Sequence, residues 1–421
     1  MKKIIFLLMA SLLITPAFAS DWAMFKKDLS HSGFTTEAVN PPLTIVWSFD
    51  LGFDSDSSPV IVNNVIYVGS NYGIHALDAT TGRELWRTHT NGFVKAAPAV
   101  ADGTLYVGAD DSRFYAMDIN DGAIKWIYKN ATAGYTSSPV VINNLAYTSS
   151  KDGSFYAFDV HSGEQSWQVL TGKVSESSPA MGDGIIVYGT NDGLIIAIDA
   201  SAGKEKWRYY TGISDILSSP LIADGRVFMG ANDGNIYALN ITNGALKWKY
   251  PTSGNVQSSP SYKDGTIFVG SRDSNLYAID SVSGSLKWKF QTSGFVDSSP
   301  AISGDIVYFG SKNNLLYGVD ANTGKLLWRN STGQNDKDYI TSPAISGNML
   351  YAVTHGGVVY AYSGVAVQAT PTAAPTLKET TAMPTPTSSP AVTPTATKKT
   401  PGFEFPIAVL LILVLAWKKR D

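Results

Sequence analysis

The 421-residue chain has no cysteine, and this absence excludes several kinds of chemistry at once. Without a thiol there is no disulfide, no thiolate metal ligand and no cysteine-linked haem or lipid. Charged residues make up 16% of the chain and the formal net charge is −3, which argues against a nucleic-acid surface, since such a surface needs a basic stripe. The 5 histidines are scattered without the spacing of a zinc site, and we expect no metal centre built on them.

Long apolar runs are confined to the two ends of the chain. At the N-terminus, two lysines and an apolar run precede Ala19 and Ser20, a pattern typical of a secretory signal peptide with its cleavage site. We therefore expect a signal peptide over residues 1–19 and a lead-in segment over residues 20–42. Residues 365–400 are rich in threonine and proline and predict an extended stalk that buries no core.

What the chain does contain is a tryptophan that returns every 39 to 41 residues. The eight are Trp47, Trp86, Trp126, Trp167, Trp207, Trp248, Trp288 and Trp328. Eight prolines keep the same period, and Ser-Ser precedes six of them. A period of about 40 residues indicates one supersecondary unit copied around an array.

Each copy reads as four short β-rich runs separated by Asp-Gly or Asn-Gly turns, which are hairpin signals. Four antiparallel strands per copy make one blade of a β-propeller. A small residue recurs in the third run, and we expect each indole to lie over such a residue between neighbouring sheets. An Asp two residues after it is expected to cap the following turn.

The two ends of the repeat complement each other. Trp47 has no strands of its own before it, and the last copy has no tryptophan after it. We therefore predict an all-β, eight-bladed propeller over residues 43–364, in which an N-terminal strand supplies the outer strand of the last blade and closes the ring.

The blade strings, such as His75-Ala76-Leu77-Asp78 continuing to Trp86, resemble the PQQ-like repeat superfamily. The opening Trp22-Ala23-Met24-Phe25 is also similar to the lead-in of that family, and the resemblance covers about residues 21–364. The family includes quinoprotein dehydrogenases and the propeller lipoprotein of outer-membrane barrel assembly. The resemblance implies the fold, whereas function depends on the site carried by the fold.

If the chain resembled the quinoproteins in function, the resemblance would imply a quinone on the ring axis, a tryptophan platform, a Ca²⁺ ion, a catalytic Asp and often a vicinal disulfide. Here the disulfide is excluded, and the repeat uses eight of the ten tryptophans. We expect no catalytic residue and no resident cofactor. An extracellular oxidoreductase or sensor that binds PQQ, Ca²⁺ or another small ligand on the axis remains the alternative, and a structural cell-coat protein is a third.

One position, three residues before each repeat proline, is expected to face the mouth of the channel. It holds Asp56, Lys95, Thr136, Glu176, Leu217, Gln257, Asp297 and Ile340. Asp56, Glu176 and Asp297 are the candidates for holding a cation there, and a solvated, variable rim is the alternative. The linker 333–339 is longer than its siblings and is the place on a regular scaffold to seek a binding feature.

Of three sequons, the one at Asn240 takes the place of the turn-capping Asp and is set aside. The other two, at Asn130 and Asn330, are expected in loops after fourth strands, where glycosylation is accessible. At the C-terminus, Pro401-Gly402-Phe403, a short apolar stretch and a basic end resemble the PGF-CTERM sorting tail of archaeal surface proteins, over residues 401–421. That resemblance implies removal of the tail and attachment of a lipid, and a transmembrane anchor is the alternative.

Together these features predict a monomeric, surface-anchored extracellular propeller that is not an enzyme. We expect it to bind an envelope protein or a polysaccharide and no nucleic acid.

Overall fold

The computed structural model describes residues 21–212, 214–332 and 339–364, and the regular structure there is entirely β-strand. The predicted signal peptide, stalk and sorting tail lie outside these residues, and so do residues 333–338 of the long linker. Within the described part of the chain, no helix has the length and apolar composition needed to cross a bilayer.

The strands are numbered in chain order. The first two are β1 (Phe34–Thr35) and β2 (Thr44–Asp50). Blade 1 comprises β3 (Val60–Val62), β4 (Val65–Gly69), β5 (Gly73–Asp78) and β6 (Glu84–His89). Blade 2 comprises β7 (Ala99–Ala101), β8 (Thr104–Gly108), β9 (Phe114–Asp118) and β10 (Ile124–Tyr128). Blade 3 comprises β11 (Val140–Ile142), β12 (Leu145–Ser149), β13 (Ser154–Asp159) and β14 (Gln165–Leu170).

Blade 4 comprises β15 (Ala180–Gly182), β16 (Ile185–Gly189), β17 (Leu194–Asp199) and β18 (Glu205–Tyr210). Blade 5 comprises β19 (Leu221–Ala223), β20 (Arg226–Gly230), β21 (Asn235–Asn240) and β22 (Leu246–Pro251). Blade 6 comprises β23 (Ser261–Lys263), β24 (Thr266–Gly270), β25 (Asn275–Asp280) and β26 (Leu286–Gln291). Blade 7 comprises β27 (Ala301–Ser303), β28 (Ile306–Ser311), β29 (Leu315–Asp320) and β30 (Leu326–Ser331), and blade 8 comprises β31 (Ala344–Ser346), β32 (Met349–Val353) and β33 (Val358–Ser363).

The ring closes as the sequence predicts. Strand β2 pairs antiparallel with β33, with Trp47 opposite Ala361, and supplies the fourth strand of blade 8. Every blade is therefore a four-stranded antiparallel sheet, and the molecule is an eight-bladed propeller. Strand β1 adds a further, parallel strand beside β27 of blade 7, with Phe34 opposite Ile302.

The turn between the third and fourth strands is closed by the Asp that the repeat predicts. In blade 1, Asp78 Oδ1 accepts hydrogen bonds from the backbone N–H groups of Thr80 (3.0 Å) and Thr81 (2.8 Å). Gly82 completes this turn at φ +73°, a left-handed conformation that glycine adopts without steric cost. The same capping recurs at Asp159, Asp280 and Asp320, so this Asp builds turns.

Each repeat tryptophan packs between its own blade and the next one. In blade 8, the Trp47 ring lies against Gly82 of blade 1, where an added Cβ would come within 2.5 Å of the indole. The ring nitrogen donates a 3.0 Å hydrogen bond to the carbonyl of Ala79. The expected small residue, Ala361, instead pairs with Trp47 across neighbouring strands of the same blade. The residue that makes room for the indole between the blades is therefore the glycine. The prediction of an indole between sheets is confirmed, and its neighbour there was wrongly identified.

The core lies between the blades. The first three strands of each blade are mostly buried, whereas exposure alternates along the fourth, as in β26 and β30. One apolar cluster joins Val187 of blade 4 to Val227 of blade 5, and equivalent clusters join the other blades. Burial of apolar side chains between sheets is therefore continuous around the ring.

Candidate functional site

The Ser-Ser-Pro triplets form a hydrogen-bonded ring around the propeller axis. In six of the eight triplets, the backbone N–H of the second residue donates to the serine hydroxyl at the same position in the next blade, as Ser178 N does to Ser219 Oγ at 2.9 Å. The same 2.9 Å bond joins Ala97 to Ser138, Ser138 to Ser178, Ser219 to Ser259, Ser259 to Ser299 and Ser299 to Ser342.

The first serine of the triplet adds a second circuit. Ser177 Oγ donates to the carbonyl of Ser218 at 2.9 Å, and Ser258 Oγ donates to the carbonyl of Ser298 at 3.0 Å. Both circuits satisfy buried polar groups between neighbouring blades. The repeated serines are therefore structural, as their recurrence in nearly every blade indicates.

The lead-in, residues 21–42, is bonded to the inner strands of the ring, and we call it the plug. Its backbone carbonyls accept N–H groups from the inner strands of six blades. The bonds run from Ile61 to Trp22, Val100 to Ala23, Met181 to Leu29, Ile222 to Ser30, Tyr262 to Ser32 and Ile302 to Gly33. Sequence reasoning missed this plug because residues 21–42 carry no repeat.

Two basic side chains of the lead-in are buried on the axis. Lys26 Nζ donates to the carbonyls of Pro300 (3.0 Å) and Ser259 (3.3 Å). Burial lowers the pKa of Lys26 well below its usual value, and Asp28 partly opposes that effect. The His31 ring donates through Nδ1 to the Pro220 carbonyl at 2.9 Å, and burial lowers the pKa of His31 to about 4. Both groups hold the plug in place between the blades.

Above the plug lies an open cavity of about 440 Å³, which we call the funnel. Phe25 of the lead-in lies at one end of it. Seven of the eight positions predicted to face the channel mouth line the funnel: Asp56, Lys95, Glu176, Leu217, Gln257, Asp297 and Ile340. Arg272, Lys312 and Tyr339 also line it, and Tyr339 is the last residue of the long linker.

The three candidate carboxylates share the funnel, but each faces a cation or a proton donor. Asp297 accepts from the Arg272 guanidinium at 3.0 Å and pairs with Lys312 at 3.0 Å. Glu176 lies 3.6 Å from the ammonium group of Lys151. These pairs neutralise the negative charge that a cation site needs.

Asp56 lies at the seam between blades 8 and 1. Its Oδ1 accepts from the Tyr339 hydroxyl at 2.6 Å and from His355 Nδ1 at 2.8 Å. The Tyr339 ring stacks on His355 with centroids 4.7 Å apart, and Lys312 Nζ lies 4.7 Å from the Tyr339 centroid. Burial, together with the bond to Asp56, raises the pKa of the Tyr339 hydroxyl far above its usual value.

The residues of the funnel do not fit a calcium-bound quinone. Nowhere in the described chain do three His, Cys, Asp or Glu side chains converge as metal ligands. The repeat tryptophans are engaged between blades. In seven of them the ring nitrogen donates a hydrogen bond to a backbone carbonyl. The pairs are Trp47–Ala79, Trp86–Ile119, Trp126–Val160, Trp207–Ile241, Trp248–Ser281, Trp288–Ala321 and Trp328–Leu43. Trp167 also lies against a glycine of the next blade, Gly203, but among the described residues its ring nitrogen has no hydrogen-bond partner.

Three exposed phenylalanines in the loops before the Ser-Ser-Pro triplets were missed at the level of sequence, and we call them the aromatic rim. Phe53, Phe93 and Phe295 are exposed large side chains, 38%, 48% and 47% accessible. The guanidinium of Arg272 lies 5.9 Å from the Phe295 centroid, which connects this rim to the funnel. The signal available in the sequence was a recurring Gly-Phe pair in the loop before the Ser-Ser-Pro triplet.

The two sequons differ in their surroundings. Asn130 is exposed and follows β10 in a loop, as expected. Asn330 lies inside β30 opposite Leu316 and is half-buried, so the expected loop at this position is wrong. The signal cleavage residues Ala19 and Ser20 and the motif Pro401-Gly402-Phe403 lie outside the described residues.

Comparison with known proteins supports this architecture. A profile of the family described as outer membrane protein assembly factor BamB matches residues 35–169, 129–211, 151–261 and 251–393. BamB of Salmonella typhimurium is 31% identical over 104 residues, which cover 21% of this chain and 26% of that protein. The dehydrogenase subunit of a quinone alcohol dehydrogenase from Gluconobacter oxydans is 29% identical over 142 residues, covering 28% of this chain and 19% of that protein. The matches thus span much less than two thirds of either curated relative.

Solved structures show the same fold over most of the chain. BamB from Moraxella catarrhalis has a TM-score of 0.65 at 19% identity, and covers 77% of this chain and 98% of its own. A europium-containing methanol dehydrogenase has a TM-score of 0.71 at 14% identity, and covers 82% of this chain and 98% of its own. Likeness at such identity concerns the fold, which serves both catalytic and non-catalytic relatives.

Proposed function

The chain belongs to the PQQ-like propeller family whose profile is described as outer membrane protein assembly factor BamB, and from this premise we propose that it is a non-catalytic binding scaffold of the cell envelope. Its partner is an envelope protein, which binds on the face of the ring that carries the funnel. The propeller acts as a monomer and supplies a rigid, preformed surface.

One observation carries this proposal, namely how the axis is occupied. The lead-in is bonded through its backbone to the inner strands of six blades, while the repeat indoles lie between blades. Asp297 and Glu176 are ion-paired with Arg272, Lys312 and Lys151. Asp56 accepts hydrogen bonds from Tyr339 and His355. What remains is a short polar funnel with an aromatic rim, a surface suited to recognition.

The rim has the composition of a protein interface. Aromatic side chains and arginine are enriched at the centres of interfaces. Phe295 and Arg272 supply both next to the funnel, and Phe53 and Phe93 occupy the equivalent loop position in two other blades. Large exposed aromatics grouped on one face of a soluble domain mark interaction surfaces. A protein partner therefore fits this face better than a neutral polysaccharide, which would leave the ion pairs without complementary charge.

The location follows from the ends of the chain. We propose that residues 1–19 are a signal peptide that exports the protein and that residues 365–400 serve as a stalk. The tail 401–421, similar to the PGF-CTERM signal, anchors it at the outer surface through a lipid or as a transmembrane segment. A glycan at Asn130 suits the exposed loop there.

Capture from an envelope extract, with the full chain as bait, tests the proposal. Replacing Phe93 and Phe295 by Ser removes two rim aromatics, and Leu246→Ser removes an apolar side chain of similar exposure on the outer strand β22. We expect a discrete envelope protein to be retained by the wild type and the Leu246 variant and lost by the rim variant. Equal retention by all three, or no retained protein, contradicts binding at the funnel face.

A small ligand in the funnel is the second candidate. A cavity of about 440 Å³ lies within the range of small-molecule sites. The ion-paired walls and the lack of a planar platform make a quinone the least suitable occupant, and this alternative is tested by direct ligand binding.

A further inference from the structure

The second serine of each triplet faces the funnel as well as the next blade. Seven of these serines line it: Ser58, Ser138, Ser178, Ser219, Ser259, Ser299 and Ser342. Five of the seven side chains are at most 5% accessible (Ser138, Ser178, Ser219, Ser259 and Ser299). These buried hydroxyls lie at equivalent positions of the cavity wall, so they form a preorganised polar surface there.

The hydrogen bonds of the ring leave these hydroxyls as donors. In Ser219, Oγ accepts the N–H of Ser178, and the equivalent bond is made to Oγ of Ser138, Ser178, Ser259, Ser299 and Ser342. A serine hydroxyl has one hydrogen to donate as well as lone pairs. Within the described residues, the hydroxyl hydrogens of these six serines have no protein acceptor, and a buried donor favours a ligand that accepts.

We propose that this ring of serines binds a single carboxylate, namely the C-terminal carboxylate of the partner protein. The inference rests on the proposed function and names the chemistry of its partner. A carboxylate has two oxygens that accept several hydrogen bonds, and bonds to a charged acceptor are the stronger kind. Hydroxyls that already accept an N–H are polarised toward donation, which strengthens such a bond.

The charge of the wall restricts the ligand to one negative group. Lys95, Arg272 and Lys312 line the funnel together with Asp56, Glu176 and Asp297, so its formal charge is balanced. A polymer with a carboxylate on every unit would meet three like charges, which disfavour it. A single carboxylate adds only one negative charge to this balanced wall and meets less repulsion than the polymer.

The apolar part of the wall indicates the last side chain of the partner. Phe25, Leu217 and Ile340 line the same cavity as the serines. An apolar C-terminal residue would bury its side chain against them while its carboxylate lies on the hydroxyls. A uronic acid sugar carries hydroxyls around its ring and would leave these three groups against polar surface.

Titration calorimetry of the full chain with two peptides tests the inference. The probes are acetyl-Ala-Ala-Phe with a free carboxylate and the same peptide with a C-terminal amide. We expect the acid to bind at least about tenfold more tightly than the amide. The double variant Ser178→Ala with Ser219→Ala should reduce binding of the acid to the level of the amide.

A variant that adds a hydroxyl to the ring complements the one that removes two. Ala97 occupies the one triplet whose second residue lacks a hydroxyl, and Ala97→Ser adds it without removing a ring bond. This variant should bind the acid at least as tightly as the wild type. Equal binding of acid and amide, no binding of either, or weaker binding by the Ala97 variant contradicts the inference. So does preferential binding of polygalacturonate.

Competition separates this inference from the proposed function. If the captured envelope protein is released by the peptide acid and not by the amide, both stand. If the rim-dependent capture persists in saturating peptide acid, the scaffold proposal stands and the carboxylate inference fails. If there is no rim-dependent capture while the acid still binds through the serines, the scaffold proposal fails alone.

Discussion

The indole of Trp207 in blade 4 lies on Gly244 of blade 5, where an added Cβ would come within 2.6 Å of the ring. The ring nitrogen of this tryptophan donates a 2.7 Å hydrogen bond to the carbonyl of Ile241 in the same turn. With only 8% of its surface accessible, Trp207 is the most buried of the structurally equivalent tryptophans. A bulky ring and a residue without a side chain therefore form one joint between sheets.

Trp207→Ala removes this joint and leaves a cavity between blades 4 and 5. We expect a loss of about 3–5 kcal/mol in the free energy of unfolding, the usual result for a buried tryptophan. Urea unfolding of the propeller, followed by near-ultraviolet circular dichroism, measures the change. A loss below about 1 kcal/mol would show that the ring contributes little to packing.

Gly244→Ala tests the other side of the joint. Gly225 is the matched control, because both glycines have φ near +70° (+70° and +66°) but nothing lies within 4 Å of a Cβ at Gly225. Gly225→Ala should cost about 1–2 kcal/mol from backbone strain alone. Gly244→Ala should cost at least about 1 kcal/mol more because it also displaces the indole. Equal losses in the two variants would contradict the contact.

Much of this joint could be predicted from the sequence. The spacing of Trp47 to Trp328 predicted the blades, and the missing strands before Trp47 predicted the closure by β2. The position three before each proline predicted the funnel wall, including Asp56 and Asp297. These features follow from a period, which a single chain displays several times over.

Features outside the period could not be predicted. Phe25 and Lys26 lie in a segment that occurs once, and its path depends on free N–H groups along the inner strands. The partners of the funnel carboxylates could not be predicted for a similar reason. Asp297 is paired by Arg272 and Lys312, which follow second strands and approach the axis only in the folded ring.

Ser138→Ala tests the hydrogen-bonded ring of serines. The hydroxyl of Ser138 accepts the buried N–H of Ala97, so its removal leaves that donor without its partner. We expect a loss of about 1–3 kcal/mol in the free energy of unfolding. Ser201→Ala is the control, since Ser201 bonds Asp199 in an exposed turn and should cost less than about 0.5 kcal/mol. Similar losses would mean that the ring adds no stability.

The pH dependence of stability tests the burial of His31. Burial lowers the pKa of His31 from 6.5 to about 4, against the effect of Asp28, so the folded protein holds the ring neutral. Between pH 6.5 and about pH 4, His31 is protonated in the unfolded chain and neutral in the folded protein. This contribution to stability is therefore full above pH 6.5 and is lost as the pH falls toward 4.

His31→Asn keeps a residue that tolerates the left-handed backbone at φ +61° and removes the titrating ring. The wild type should lose about 2–3 kcal/mol more than the variant between pH 7 and pH 4. Urea unfolding at several pH values measures both curves. Parallel curves would contradict a buried neutral histidine.

The most direct test of a non-catalytic axis is the melting temperature of the full chain with PQQ and Ca²⁺. A ligand present at 100 times its dissociation constant stabilises the folded state by about 2.7 kcal/mol, which calorimetry detects readily. Because the funnel carboxylates are paired and the indoles lie between blades, we predict the same melting temperature with and without both additives. A saturable rise that requires both PQQ and Ca²⁺ would contradict the account.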